Sequence, residues 1–534
     1  MVEQLQINKY VINLIGLAVF FVLITQNSFA QTNQYNITAY GAVANSGEIC
    51  TKALQAAVDA CNTNGGGDVV IPDGTFIIGT VHLKSNVHLY LQSGAILKGS
   101  PNLNDYELNI PDKSFNAVRR GMFFTEDAEN ISITGEGRVD GNGEVFFESH
   151  IAKRLDTLTT RYTRQKKNFR HVDSGLGDGP IQPKERPYQM FVFSNCRRVS
   201  MKGIFITSSP FWCTLFSDCD GVHVNDIRLW NNMLIPNGDG IDVASCTNVI
   251  IDGCDIRAGD DALAIVGYNH HFEVPGFKHL KHFSGNIIIS NCNLQSNSSG
   301  IRIGFLDQNT VENVMVNNVN ITNSSRGVGI FLRDEGSLKN MIFSNMYIQT
   351  RIPTGDWWGN GEPIHVSAIR GKADVTLGKI ENIQFNNIIC KGEAGILVYG
   401  TDESIIHNVS FKNISFELVD TKLNDVAGGN IDLRGVIGDK NQIFAHDIPG
   451  LLADHVDGLT IEDFKLTWTN PRMAFLSNGI EVNNFKNLRI TNFQGTGAPN
   501  NPGTYPVKLE NGEGFKTDLD KKSIHSITVK EINL

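Results

Sequence analysis

At 534 residues, 41% hydrophobic and 19% charged, the chain has material for a large core, which excludes wholesale disorder. A net charge of −10 argues against nucleic acid as the main partner, yet leaves room for an anionic ligand in a local basic cleft. The 52 glycines against 16 prolines suit a turn-rich β protein.

Residues 1–30 read as a secretory signal. Lys9 precedes an apolar run from Val11 to Ile24, and Ser28 and Ala30 are the small residues of a cut after Ala30. The run is short for a membrane anchor and no second apolar segment follows. The expected product is therefore residues 31–534, periplasmic or secreted, with no membrane span and no second chain called for, hence a monomer. Thr51–Asn62 has helical spacing and is expected to cap the first turn of the repeats, and Gly65–Phe76 opens the first strands. The nine cysteines are odd in number and lack a CxxC, so no metal knuckle is implied. Cys246, Cys254, Cys292 and Cys390 lie in apolar runs as small buried thiols, and a Cys50–Cys61 disulfide has only weak support.

One pattern then recurs: Asn, a short apolar-ended run, a polar pair, and a second apolar run. It stands as NVIIDGCDI from Asn248, NIIISNCNL from Asn286, NVMVNNVNI from Asn313, NMIFSNMYI from Asn340 and NVSFKNISF from Asn408. From Arg198 to Asn408 the intervals are 23, 27, 38, 27, 27, 42 and 26 residues, a base period near 26 with two insertions. Each copy alternates with period 2, as strands do. Strands this short bury a face only by stacking coil on coil, and the repeated Asn suits a turn that stacks on its neighbour. The expected fold is all-β, a single-domain right-handed parallel β-helix with an N-terminal capping helix. Residues 150–187 interrupt the pattern with Lys153, Arg154, Arg161, Arg164, Lys166, Lys167 and Arg170, either a solvated loop or a cleft wall that attracts a polyanion. A second insertion, Ile352–Pro363, carries Trp357 and Trp358, which either stack on a sugar or pack on the body.

Asp239 lies 21 residues before Asp260, close to one period, and Asp261 follows directly. Neighbouring strands lie roughly 4.8 Å apart, so three carboxylates are expected on one patch. Crowded like charges raise at least one pKa, leaving an acid beside a base, which is what cleavage of a glycosidic bond requires. Isolated turn-capping Asp residues would not explain an adjacent pair with a neighbour one coil away.

At these residues the chain resembles glycoside hydrolase family 28, the polygalacturonase family. The N-terminal stretch from Tyr40 to Ser100 and the segment from Arg186 to Trp212 are similar to it. The family's Asn-Thr-Asp falls on Asn237-Gly238-Asp239 and its Gly-Asp-Asp on Gly259-Asp260-Asp261. The resemblance implies Asp260 or Asp261 as general acid, the other carboxylates as activators of water, Asn237 in the substrate site, and inversion at the anomeric carbon. Two motifs depart from the family. Gly-His-Gly aligns with Ser298-Ser299-Gly300, and Arg-Ile-Lys with Gly329-Ile330-Phe331. Arg302, between Ile301 and Ile303, is expected on the cleft side, and it and Arg333 are candidate replacement cations for binding an acidic sugar. His270 and His271 are either substitutes for the missing His or ordinary loop residues.

The reading is an exported glycosidase acting on a uronate-containing polysaccharide or its oligosaccharides, with no cofactor and no metal. A rival is a lyase or dehydratase that eliminates at a uronic acid, in which the acidic cluster would hold Ca²⁺. A further rival is a non-catalytic glycan-binding β-helix.

Overall fold

The computed structural model describes residues 33–109, 118–153, 163–165, 176–269, 283–426, 428–435 and 443–533. The signal segment and His270 and His271 lie outside the described residues. Among the described residues, no helix is long and apolar enough to cross a membrane.

The strands stack in parallel, coil on coil, with 35 of them joined in one continuous sheet that winds as a right-handed parallel β-helix. Helix α1 (Thr51–Thr63) turns Leu54, Ala57, Val58 and Cys61 inward at helical spacing and packs on the strands Gln34–Asn36 and Gly67–Ile71. It covers the edge of the first coil, as the periodicity predicts.

The Asn residues do more than turn the chain. Asn248, Asn286, Asn313, Asn340, Asn382 and Asn408 all hold φ between +54° and +60°, a left-handed conformation that Asn tolerates better than most residues. Their amides form a ladder: Asn286 donates to Asn248 at 3.3 Å, Asn313 to Asn286 at 3.3 Å, Asn340 to Asn313 at 3.4 Å, Asn382 to Asn340 at 3.1 Å and Asn408 to Asn382 at 3.1 Å. A second ladder runs from Asn291 to Asn318 and, further on, from Asn345 through Asn387 to Asn413. Inside, like residues stack on like: Phe343 on Phe385 and Phe385 on Phe411, each at 5.0 Å between ring centres. All nine cysteines are buried and free, so Cys50 and Cys61 are not bridged.

One face of the coils carries the cleft. Its strands are β1 (Thr214–Ser217), β2 (Ile241–Ala244), β3 (Leu263–Val266), β4 (Ser299–Phe305), β5 (Arg326–Leu332) and β6 (Ile364–Ala368). Phe216, Val243, Ile265, Ile303, Ile330 and Val366 pair in register and point into the core. The residues immediately before them pair as Leu215, Asp242, Ala264, Arg302, Gly329 and His365, and alternation turns this row outward.

Candidate active site

Pairing of Ile241 with Leu263, 263 − 241 = 22 residues on, places Asp239 level with Asp261 one coil away. Asp260 stands one residue earlier on the same turn. The 21-residue interval is thus one coil less one residue, and the turn brings all three carboxyls together. An oxygen of each of Asp239, Asp260 and Asp261 lies within 4.8 Å of the others, and all three residues are buried. They line a cleft of about 280 Å³ together with Asn237, Arg302 and Arg333.

The three carboxyls have different partners. Asp261 is held on both oxygens: Oδ1 accepts from Ser298 Oγ at 2.9 Å and from the Ser299 N–H at 3.0 Å, and Oδ2 pairs with Arg302 Nε. Asp260 accepts from the backbone N–H of Asn237 at 3.2 Å and of Asp261 at 3.0 Å, yet burial first, and the Asp261 charge second, push its carboxyl up to about 7. Asp239 is raised well above the ordinary carboxylate range by burial and then by Asp260, and its Oδ1 has no hydrogen-bond partner among the described residues. The three carboxyls therefore differ in their surroundings: Asp261 is gripped on both oxygens, while Asp260 is raised to about 7 and Asp239 well above the ordinary range. Arg302 supplies the compensating charge, and Asp261 and its neighbours raise its pKa despite burial.

Ser298 and Ser299 thus grip Asp261 through a hydroxyl and a backbone N–H. Gly329 and Phe331 are a coupled pair. A Cβ at Gly329 would stand 2.6 Å from the Phe331 ring, so the ring occupies the space that a side chain at 329 would need. Arg326 and Arg333 lie 4.8 and 5.2 Å from the centre of that ring.

The donor set does not suit Ca²⁺. That ion needs six to eight oxygen ligands, whereas the oxygens of Asp260 and Asp261 already accept from N–H groups, a hydroxyl and the Arg302 guanidinium.

Asn237 turns its amide oxygen to Arg186 Nη2 at 3.3 Å, and Arg186 in turn donates to the carbonyls of Pro210 and Pro236. Arg333 is buried, with its donors directed at the carbonyls of Arg434, Leu332 and Ser367 and at Ser367 Oγ; burial lowers its pKa to about 9. Of the two tryptophans, Trp357 is fully buried in the body and Trp358 faces the cleft. In the basic cluster, Lys153 and Arg164 are described, and Arg164 pairs with Asp447 at 2.7 Å.

Four residues near the site escaped the sequence reading. Asp242, buried and raised by burial against the pull of Arg302, follows from the argument already applied to Arg302, since it lies between inward Ile241 and Val243. Arg326, which pairs with Glu362 at 2.8 Å and Asp432 at 3.1 Å, and Asp432 and Arg434 gave no local signal.

The model of glycosyl hydrolases family 28 matches residues 61–351, which is 291 of 534 residues. The chain belongs to glycoside hydrolase family 28. Among curated relatives, the exo-poly-α-D-galacturonosidase of Dickeya chrysanthemi is 26% identical over 270 residues, covering 45% of this chain and 43% of its own. A putative galacturan 1,4-α-galacturonidase C of Aspergillus niger is 25% identical over 391 residues, covering 68% of this chain and 76% of its own. The chain spans about half the length of the first curated relatives it matches: 43%, 43% and 57%. Among solved structures, the tailspike of E. coli bacteriophage HK620, in complex with a pentasaccharide, shares the fold with a TM-score of 0.56 at 13% identity, over 93% of this chain and 78% of that one.

Proposed function

We propose that this family 28 protein hydrolyses glycosidic bonds in a uronate-containing polysaccharide or its oligosaccharides. The observation that carries the reading is the unequal treatment of three clustered carboxyls: Asp260 pushed up to about 7, Asp239 raised, and Asp261 held by Arg302, Ser298 and Ser299. In the proposed reaction Asp260 gives its proton to the leaving oxygen as the bond to the anomeric carbon breaks. A water, oriented by Asp239 on the adjacent coil, adds to that carbon, and Asp261 takes the water's proton.

The family resemblance supports inversion. The carboxyl oxygens nevertheless lie within 4.8 Å of one another, closer than the roughly 6.5–9.5 Å usual for inverting enzymes. NMR of the anomer first released separates the two outcomes. We also propose that residues 31–534 form one exported catalytic unit.

The test is an incubation with acidic oligosaccharides, pectic and sulfated algal, following reducing ends and ultraviolet absorbance together, with Asp261→Asn as control. New reducing ends without absorbance, lost by about 100-fold or more in the variant, are expected. Rising absorbance would mean elimination, and saccharide binding without turnover would leave a glycan-binding β-helix.

A further inference from the structure

Separate excursions of the chain meet beside the cleft. From the excursion after Ala152, Asp178 pairs with Arg351 at 3.0 Å and accepts from Thr354 N and Oγ1, both at 2.8 Å. The Asp178 carbonyl takes Trp357 Nε1 at 2.9 Å. Gly355 sits so tightly on Gly179 that a Cβ there would stand 1.8 Å from the Gly179 oxygen. A later excursion joins through Asp432, which accepts from the Gly359 N–H at 2.7 Å, and through Asn430, whose carbonyl takes Asn360 Nδ2 at 3.0 Å. Arg164 closes the remaining seam, donating to Asn430 Oδ1 and the Gly429 carbonyl, both at 3.1 Å, and to Asp447 at 2.7 Å. So many polar seams make this a fixed surface, and it presents Trp358 and Arg434 to the cleft.

The guanidiniums lining the cleft differ in what they have left to give. Arg326 has Nε on Glu362, Nη1 on Ser299 and Nη2 on Asp432. Arg333 has all three nitrogens on carbonyls and Ser367. Arg302 has Nε on Asp261 and Nη1 on Gly304 and Tyr268; its Nη2 has no partner among the described residues, but the Nε pair holds the group at the carboxyl cluster. Arg434 donates through Nε to Asp432 at 2.9 Å and through Nη2 to the Trp357 carbonyl at 3.1 Å, and its Nη1 has no partner among the described residues. Its group lies over the Trp358 ring, 5.9 Å from the ring centre, so an aromatic ring and a spare cationic donor adjoin. No cation stands on the strand itself at Gly329 or Phe331. The cleft, about 280 Å³, sits just below the roughly 300–1,000 Å³ of pockets for drug-sized ligands, a size for one or two sugar rings.

We propose that the cleft is a blind pocket that takes one end of an acidic oligosaccharide, with the end sugar's ring on Trp358 and its carboxylate on Arg434. This rests on the hydrolytic reading above. A chain so held is cut only near that end: water adds across the glycosidic bond, releasing a short sugar of constant size and a chain shortened by that unit. Arg434 is a specificity-determining residue, outside the proton transfers.

The experiment is a time course on a ladder of pectic oligosaccharides, with early products resolved by size, repeated on the same ladder with carboxyls reduced to alcohols. The expected result is one small product regardless of chain length. Arg434→Gln should raise KM on the acidic ladder about tenfold with kcat within about twofold, leave KM on the reduced ladder unchanged, and be partly rescued by Arg434→Lys. Early fragments of intermediate length from the wild-type protein would overturn the blind pocket. Equal KM changes on both ladders, or none, would overturn the role of Arg434. Absence of hydrolysis of any acidic ladder would remove the hydrolytic reading and this proposal with it.

Discussion

Replacing Asp260 with Asn should abolish turnover and, above neutral pH, make the protein more stable. Burial and the neighbouring Asp261 charge raise this carboxyl from 3.8 to about 7, so the folded state binds the proton more tightly than the unfolded chain does. Between those two values the folded protein carries more of that proton than the unfolded chain. Stability from this group is therefore complete at low pH, falls as pH rises through the window, and levels off above it. The distance from 3.8 to about 7, at about 1.4 kcal/mol per pH unit, sets a ceiling of roughly 4 kcal/mol on the penalty at pH 8. An Asn removes that penalty but offers one acceptor where Asp260 uses two, toward the N–H groups of Asn237 and Asp261. The lost bond costs about 1 kcal/mol. The variant should thus be about 1–3 kcal/mol more stable than wild type at pH 8 and about 1 kcal/mol less stable at pH 4. Denaturant unfolding at both pH values, beside activity, reads this crossover. A variant less stable than wild type at pH 8 would refute the reasoning, because the ionised carboxyl would then carry no burial penalty.

Arg302→Met leaves Asp261 buried with only the Ser298 and Ser299 donors, and should cost about 3–5 kcal/mol in denaturant unfolding along with most of the turnover; near wild-type stability would mean that the pair is not buried in effect. Gly329→Ala puts a methyl 2.6 Å from the Phe331 ring and should drive the ring into the cleft, costing about 1–3 kcal/mol and raising KM several-fold. An unchanged KM would show that the ring has another place to go. Asn313, at φ 57°, should be replaced by Gly with a loss smaller by about 1 kcal/mol than by Ala, since both lose the ladder amide but only Ala pays for the left-handed backbone. Equal melting shifts for the two variants would remove the backbone from the explanation.

The coil was legible in the sequence because its signal is local and repeated. Every copy carries the same alternation, and errors in one copy are corrected by the next. The same regularity made α1 legible, since its inward residues Leu54, Ala57, Val58 and Cys61 repeat at helical spacing. Less legible was why Asn recurs. Its amide stacking follows from its place in the repeat, but the left-handed backbone at each of these positions is a property of the turn and leaves no mark on the alternation. The cysteines show the limit of spacing: Cys50 precedes α1 and Cys61 lies within it, and each thiol is simply buried.

The site divides along the same line. Asp239, Asp260, Asp261 and Arg302 come together because one coil of chain returns each to the same face, and Asp242 was readable by the same count. Arg434 was not readable, because no period connects residue 434 to β3 or β4. It reaches the cleft only through seams such as Gly359 to Asp432 and Asn360 to Asn430. A solenoid permits this, since each coil rests only on its neighbours and a loop that leaves one coil can grow without disturbing the stack. The strands therefore constrain the carboxyl cluster, while the excursions are free to change what lies beside it. Gly329 and Phe331 fit that division: the strand carries a ring there, and a loop-borne cation, Arg434, lines the same cleft with its Nη1 unpartnered among the described residues.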